Sequence, residues 1–121
     1  MLNEALLIFI ASHYSPGVMQ EVVANRQAMA QLPAIINHDQ FVAVRDCEHI
    51  GERLWIAPIG APWEMFIIAD CSRPPGTDGA YEWMTKWNIL VEVDYETAER
   101  WGSVGGGIKI ERMHRGARLE R

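Results

Sequence analysis

The chain has little of several things that would have narrowed its function at once. It has two cysteines, Cys47 and Cys71, no C-x-x-C pair, and four scattered histidines, His13, His38, His49 and His114, so the spacing of a zinc site is missing and no metal is expected. It has no surplus of positive charge: 11 Lys and Arg against 16 Asp and Glu give a net charge of -5, which argues against a general nucleic-acid binder, since phosphates need a basic face. It has no long apolar run either. The longest, Ala5 to Ala11, follows Glu4 with no Lys or Arg before it; it is too short to span a membrane and reads as a buried strand. Gly102-Ser103-Val104-Gly105-Gly106-Gly107 lacks the Lys and following Ser or Thr of a phosphate-binding loop, no serine sits in G-x-S-x-G, and no cofactor is implied.

What remains is ordinary composition for one globular domain. At 121 residues, 49% hydrophobic and 22% charged, the chain is long enough to bury a core, and no repeat or linker divides it. The core is expected over about residues 6–112, with 113–121 as a solvated, arginine-rich tail. Six short apolar or β-branched segments, Leu6–Ser12, Phe41–Val44, Arg53–Ala57, Met65–Ala69, Ile89–Val93 and Ile108–Arg112, are bounded by Gly, Pro and Asp and read as strands of a small barrel. Pro58-Ile59-Gly60-Ala61-Pro62 turns the third into the fourth. Two short helices interrupt them. Ser15 would cap one, with Pro16 at its first turn and Val18, Met19, Val22 and Val23 on one face; Asp94 would cap the other, Tyr95–Trp101, ended by Gly102.

The densest chemical signal is Phe66-Ile67-Ile68-Ala69-Asp70-Cys71, an apolar strand ending in an acid beside a cysteine. Two cysteines can be a disulfide, free thiols or half of a metal site; the disulfide is favoured and would close a loop of about 24 residues for roughly 3 kcal/mol. Such a bridge suits an oxidising compartment. A cysteine nucleophile assisted by His49 is a weaker alternative. Asp70, at a strand end facing a loop, suits acid or base work or simply caps that loop. Tyr81, Trp83 and Trp87 cluster in one segment, where they either stack on a sugar or pack into the core.

The order of these features resembles the RlpA-like double-psi β-barrel family and its barwin and expansin relatives. Ala11-Ser12-His13-Tyr14-Ser15-Pro16-Gly17 resembles the opening A-S-W-Y-G-P-G, and Ile50-Gly51-Glu52-Arg53-Leu54-Trp55-Ile56 is similar to the middle L-P-F-G-T-x-V-x-V. Ile67-Ile68-Ala69-Asp70-Cys71 looks like V-x-x-D-R-G-P and the V-D-x-C of barwin. Val91-Glu92-Val93-Asp94, running on to Gly102, is similar to I-D-L-S-x-x-A-A-x-x-L-G. Together the motifs span about residues 8–112. The resemblance implies a six-stranded double-psi β-barrel with two short helices, located outside the cytosol or in the periplasm, whose partner is a polysaccharide such as peptidoglycan or a β-glucan. Two functions follow from it: cleavage of a β-linked glycan with Asp70 as proton donor and Asp46 as second carboxylate, as in a lytic transglycosylase or endoglucanase, or sugar binding without cleavage. A barrel that binds a protein partner is a third. His13, Tyr14, Tyr81, Trp83 and Trp87 would line the groove. The chain departs from the family where A-x-H-x-x-L-P-x-G is expected: it reads Val44-Arg45-Asp46-Cys47-Glu48-His49-Ile50-Gly51, and His13 replaces the opening Trp.

Overall fold

In the computed structural model, residues 9–72, 79–86, 89–102 and 107–120 are described. Strands β1 (Phe9–His13), β2 (Phe41–Val44), β3 (Glu52–Pro58), β4 (Glu64–Cys71), β5 (Ile89–Val93) and β6 (Ile108–Arg118) form one sheet, with helices α1 (Val18–Ala28), α2 (Ala80–Lys86) and α3 (Tyr95–Arg100) between them. The strand order is β1-β5-β2-β4-β3-β6, and β1 pairs with β6 to close the sheet. Closure leaves no long unpaired edge, which suits a small all-β core. β1 and β5 run parallel, as do β2 and β4, while the remaining neighbours are antiparallel. The core is made of Val42, Leu54, Ile56, Phe66, Ile68, Val91 and Val93, each at most 1% exposed. Most are β-branched or aromatic, the residues that fit a pleated surface.

All six expected strands are present, β2 and β5 with the expected ends. The first expected strand, Leu6–Ser12, falls partly on residues 1–8, outside the described residues. The turn after Pro58 makes the expected hairpin of β3 and β4: Ala61 N–H donates to Pro58 O at 3.0 Å, and Gly60 takes φ 76°, a left-handed value that costs glycine little. Asp94 caps α3 as expected; its carboxylate accepts from Thr97 N–H at 3.2 Å and Thr97 Oγ1 at 2.8 Å while only 4% exposed.

Three expectations are corrected. Helix α1 starts at Val18, not after a Ser15 cap, because Gly17 at φ 80° turns the chain there; its buried residues are Met19 and Val23, with Val18 39% exposed. A third helix, α2, joins the two expected. Finally, most of the 113–121 segment expected as a tail is strand: β6 runs to Arg118, paired along β3 as far as Glu52↔Arg118. Its side chains are mostly exposed, so the sequence shows the polarity of a solvated end while the backbone bonds lie in the sheet.

Candidate functional site

Two register shifts build the site. Between β2 and β4 the pairing runs Val42↔Ile68, then Ala43↔Asp70, so one residue, Ala69, is extra on β4. Between β1 and β5 it runs Ile10↔Ile89, then Ala11↔Val91 and Ser12↔Glu92. β2 and β5 pair Ala43 with Glu92. Ser12, Glu92, Ala43 and Asp70 therefore form one cross-strand row, and directly paired residues share a face. Such bulges commonly re-aim a side chain near a site. The row places two carboxylates on one face, flanking a small alanine. With strands about 4.8 Å apart, their backbones are about 9.6 Å apart.

Tyr14, just past the end of β1, is fixed by its backbone N–H donating to Val93 O at 2.9 Å. Its hydroxyl donates to Asp70 Oδ2 at 2.6 Å, joining residues 56 apart in sequence. Arg26, in the last turn of α1, donates through Nη2 to Asp70 Oδ1 at 2.7 Å and through Nη1 to Gln31 Oε1 at 2.6 Å. The Arg26 and Asp70 side chains are 20% and 18% exposed. Burial, then the hydrogen bond to Asp70, pushes the Tyr14 hydroxyl far above its ordinary range, so it stays a donor. Glu92 is also shifted upward: burial dominates, the nearby Asp70 charge adds to it, and the Ser12 hydroxyl and His13 oppose it. Ser12 Oγ is buried beside Glu92 without a well-formed hydrogen bond to any described residue. His13 packs edge-on to Tyr95 at 5.8 Å, and its Nδ1 lies 2.9 Å from Tyr14 O.

The expected residues divide accordingly. Asp70, Tyr14 and His13 come together. The apolar run before Asp70 is buried, yet the carboxylate faces Arg26 and Tyr14, not an apolar pocket. The disulfide is present: Cys47 and Cys71, with Cα atoms 5.0 Å apart, tie the 3-10 turn Cys47–His49 to the end of β4, next to Asp70. Asp46 precedes that turn and lines a separate cavity of about 140 Å³ with Val44, Arg45 and His49. His49 belongs to a surface cluster with Glu52 and Arg115. On α2, Arg45 covers the Tyr81 ring at 5.3 Å and Trp83 is 47% exposed, with Met84 turned into the core in their place. Trp87 lies outside the described residues.

Glu92 is the residue the sequence reading passed over. The signal was present: an acid between Val91 and Val93, both at most 1% exposed, in a strand where alternation predicts a side chain on the opposite face. Among the described residues no three His, Cys, Asp or Glu side chains gather closely enough to hold a metal ion, and no helix is long and apolar enough to cross a membrane. Compared with known proteins, the chain matches no family model, no curated protein and no solved structure.

Proposed function

We propose that the chain is a double-psi β-barrel of the RlpA and expansin kind that cleaves a β-linked polysaccharide at the Tyr14–Arg26–Asp70–Glu92 site. The observation that carries this reading is the pair of unlike carboxylates on one cross-strand row. Glycoside cleavage needs one group to protonate the leaving oxygen and a second, opposite in charge state, to assist the attacking hydroxyl or stabilise the positive sugar. Glu92, half-buried and shifted upward, suits the proton donor. Asp70, whose two oxygens accept from Arg26 and Tyr14, suits the charged partner. A backbone separation of about 9.6 Å leaves the carboxyl groups able to flank a glycosidic bond. The two interlocked parallel pairs and the bridge beside Asp70 agree with the barrel type. The disulfide also favours an extracellular or periplasmic location.

A binding module without cleavage is the second reading. Its support is that Arg26 and Tyr14 hold Asp70 in place from both sides, as a fixed acceptor for sugar hydroxyls would be held. Release of soluble sugars from purified peptidoglycan and amorphous cellulose separates the two. Release that vanishes in both Asp70→Asn and Glu92→Gln supports the enzyme. Polymer pull-down with no release by the native chain moves the protein to the binding class, and neither activity overturns both readings.

A further inference from the structure

Beside Asp70 lies a cavity of about 230 Å³ lined by Arg26, Gln31, Cys47, Ile50 and Arg118. Two of its five lining side chains are guanidinium groups and none is acidic, in a chain whose net charge is -5. Arg26 belongs to both places, since the same side chain that donates to Asp70 lines this wall. Its charge is matched by Asp70. That of Arg118 is matched less fully. Glu52 accepts from Arg118 Nη2 at 3.2 Å and from Arg115 Nη1 at 3.3 Å, so one carboxylate answers two guanidinium groups. Glu48, whose backbone carbonyl accepts from Arg118, has a carboxylate that is 76% exposed and lies 3.8 Å from His49. Arg118 is also held rigidly, donating to Glu48 O at 2.9 Å and to Ile50 O, so little side-chain entropy remains to be lost on binding.

We propose that this cavity is a subsite for a carboxylate carried by the polymer, gripped between Arg26 and Arg118, with Gln31 as an amide neighbour. It rests on the glycan reading above and narrows it: the substrate is an acidic polysaccharide, one bearing a carboxylate on or beside the sugar ring, and a neutral glucan fills the groove but leaves this corner empty. Guanidinium groups suit a carboxylate because each carries five charge-assisted N–H donors, and the bonds named above leave some of them over at both Arg26 and Arg118. Ile50 and the Cys47 end of the disulfide supply the apolar wall that strengthens those bonds.

The test uses the full chain with its disulfide intact. Sodium glucuronate and glucose are titrated while the arginine side-chain Nε–H signals are followed by NMR, and binding to carboxymethylcellulose is compared with binding to hydroxyethylcellulose. Glucuronate, not glucose, shifts the Arg26 and Arg118 signals, and the carboxylated polymer binds about tenfold more tightly, as charge-assisted hydrogen bonds predict. In Arg118→Gln that ratio falls toward one; Arg118→Lys, which keeps the charge and loses the fork, falls between. Equal, measurable binding of the two polymers by the native chain, or no response to glucuronate, overturns the subsite, and both are read on the native chain alone. Inorganic phosphate displacing glucuronate at equal concentration makes this a general anion site and overturns the carboxylate assignment. Sugar release with no glucuronate binding removes the subsite alone, and glucuronate binding with neither sugar release nor binding of either polymer removes the glycan reading and with it the polymer-borne carboxylate, leaving a site for a small free carboxylate.

Discussion

Strand β4 carries an acid near each end, and the two are treated differently. At its start, Glu64 accepts two hydrogen bonds from Arg100, at 2.9 and 3.2 Å, and one from Trp101 Nε1 at 2.8 Å, while Gln40 shares the same arginine at 2.7 Å. Charge and donors are matched, and the group ties α3 to the sheet. Near its end, Asp70 is also paired with an arginine, but a second carboxylate, Glu92, shares its face, and among the described residues no arginine or lysine forms an ion pair with it. A satisfied ion pair is a structural device. A pair of acids held in proximity, one of them pushed upward by burial, holds electrostatic energy that folding alone gives no reason to keep. The second end is therefore the candidate site, and exchanging the consequences of mutation between the two ends would break this contrast.

The largest expected effect is at Asp70. Asp70→Asn keeps the shape but removes the charge and turns one of the two accepting oxygens into an N–H donor, and sugar release should fall by about 100-fold or more, the usual contribution of one acid or base. Glu64→Gln should leave release within about twofold. Comparable losses from the two variants would remove the distinction between the ends.

Next comes the bridge, which exists only at the Asp70 end. Replacing Cys47 and Cys71 together by serine opens a loop with a sequence separation of 24 and should lower stability by about 3 kcal/mol. Denaturant melts of the native and double-serine chains measure it. The β2–β4 pairing Val44↔Cys71 and the Ser72 hydroxyl donating to Arg45 O at 3.0 Å hold the same corner, so the fold should survive at room temperature while release falls. A double-serine chain with undiminished release would show that the bridge does not position Asp70.

At the other end, Glu64→Gln should destabilise by about 1 to 2 kcal/mol, because Arg100 loses a two-pronged partner and the Trp101 indole N–H a charged acceptor. Arg100 is 50% exposed, so solvent screening keeps the loss small. A melt unchanged within error would mean that Glu64 is ornamental.

How far this contrast was readable in the sequence depends on distance along the chain. The strands, the α3 cap and the hairpin are local signals, carried by Val91 and Val93, Asp94 with Thr97, and Gly60. The Cys47–Cys71 bridge is only one of the states two cysteines allow, since loop length does not fix geometry. The partners of Asp70 were another matter. Tyr14 lies 56 residues away and Arg26 lies 44 away, and the bulge that aligns Asp70 with Ala43 leaves no mark in Ile67-Ile68-Ala69-Asp70. Nothing in the sequence around Arg26 points to Asp70. The arginines of β6 looked like a tail because exposed strand and solvated end share a composition, and only the pairing with β3 separates them.

The smallest effect is also the sharpest test of the comparison, because its sign differs between the ends. Burial works to raise the Glu64 pKa, but the hydrogen bonds from Arg100 and Trp101 outweigh it and hold the group below the ordinary value of 4.5. Its contribution to stability is therefore full above pH 4.5 and is lost as the pH falls through the folded-state value. For Glu92 burial prevails and the folded value lies above 4.5. Between those two values the folded chain holds a proton that the unfolded chain has released, so stability declines as the pH rises through that window. One group can tilt the curve by at most about 1.4 kcal/mol per pH unit. Denaturant midpoints measured from pH 3 upward should show Glu64→Gln flattening the acid side only and Glu92→Gln flattening the decline above pH 4.5 only, with a net gain in stability near neutral pH. A Glu92→Gln chain that loses stability there would make Glu92 a second structural acid, and the two ends of the barrel would then differ in degree alone.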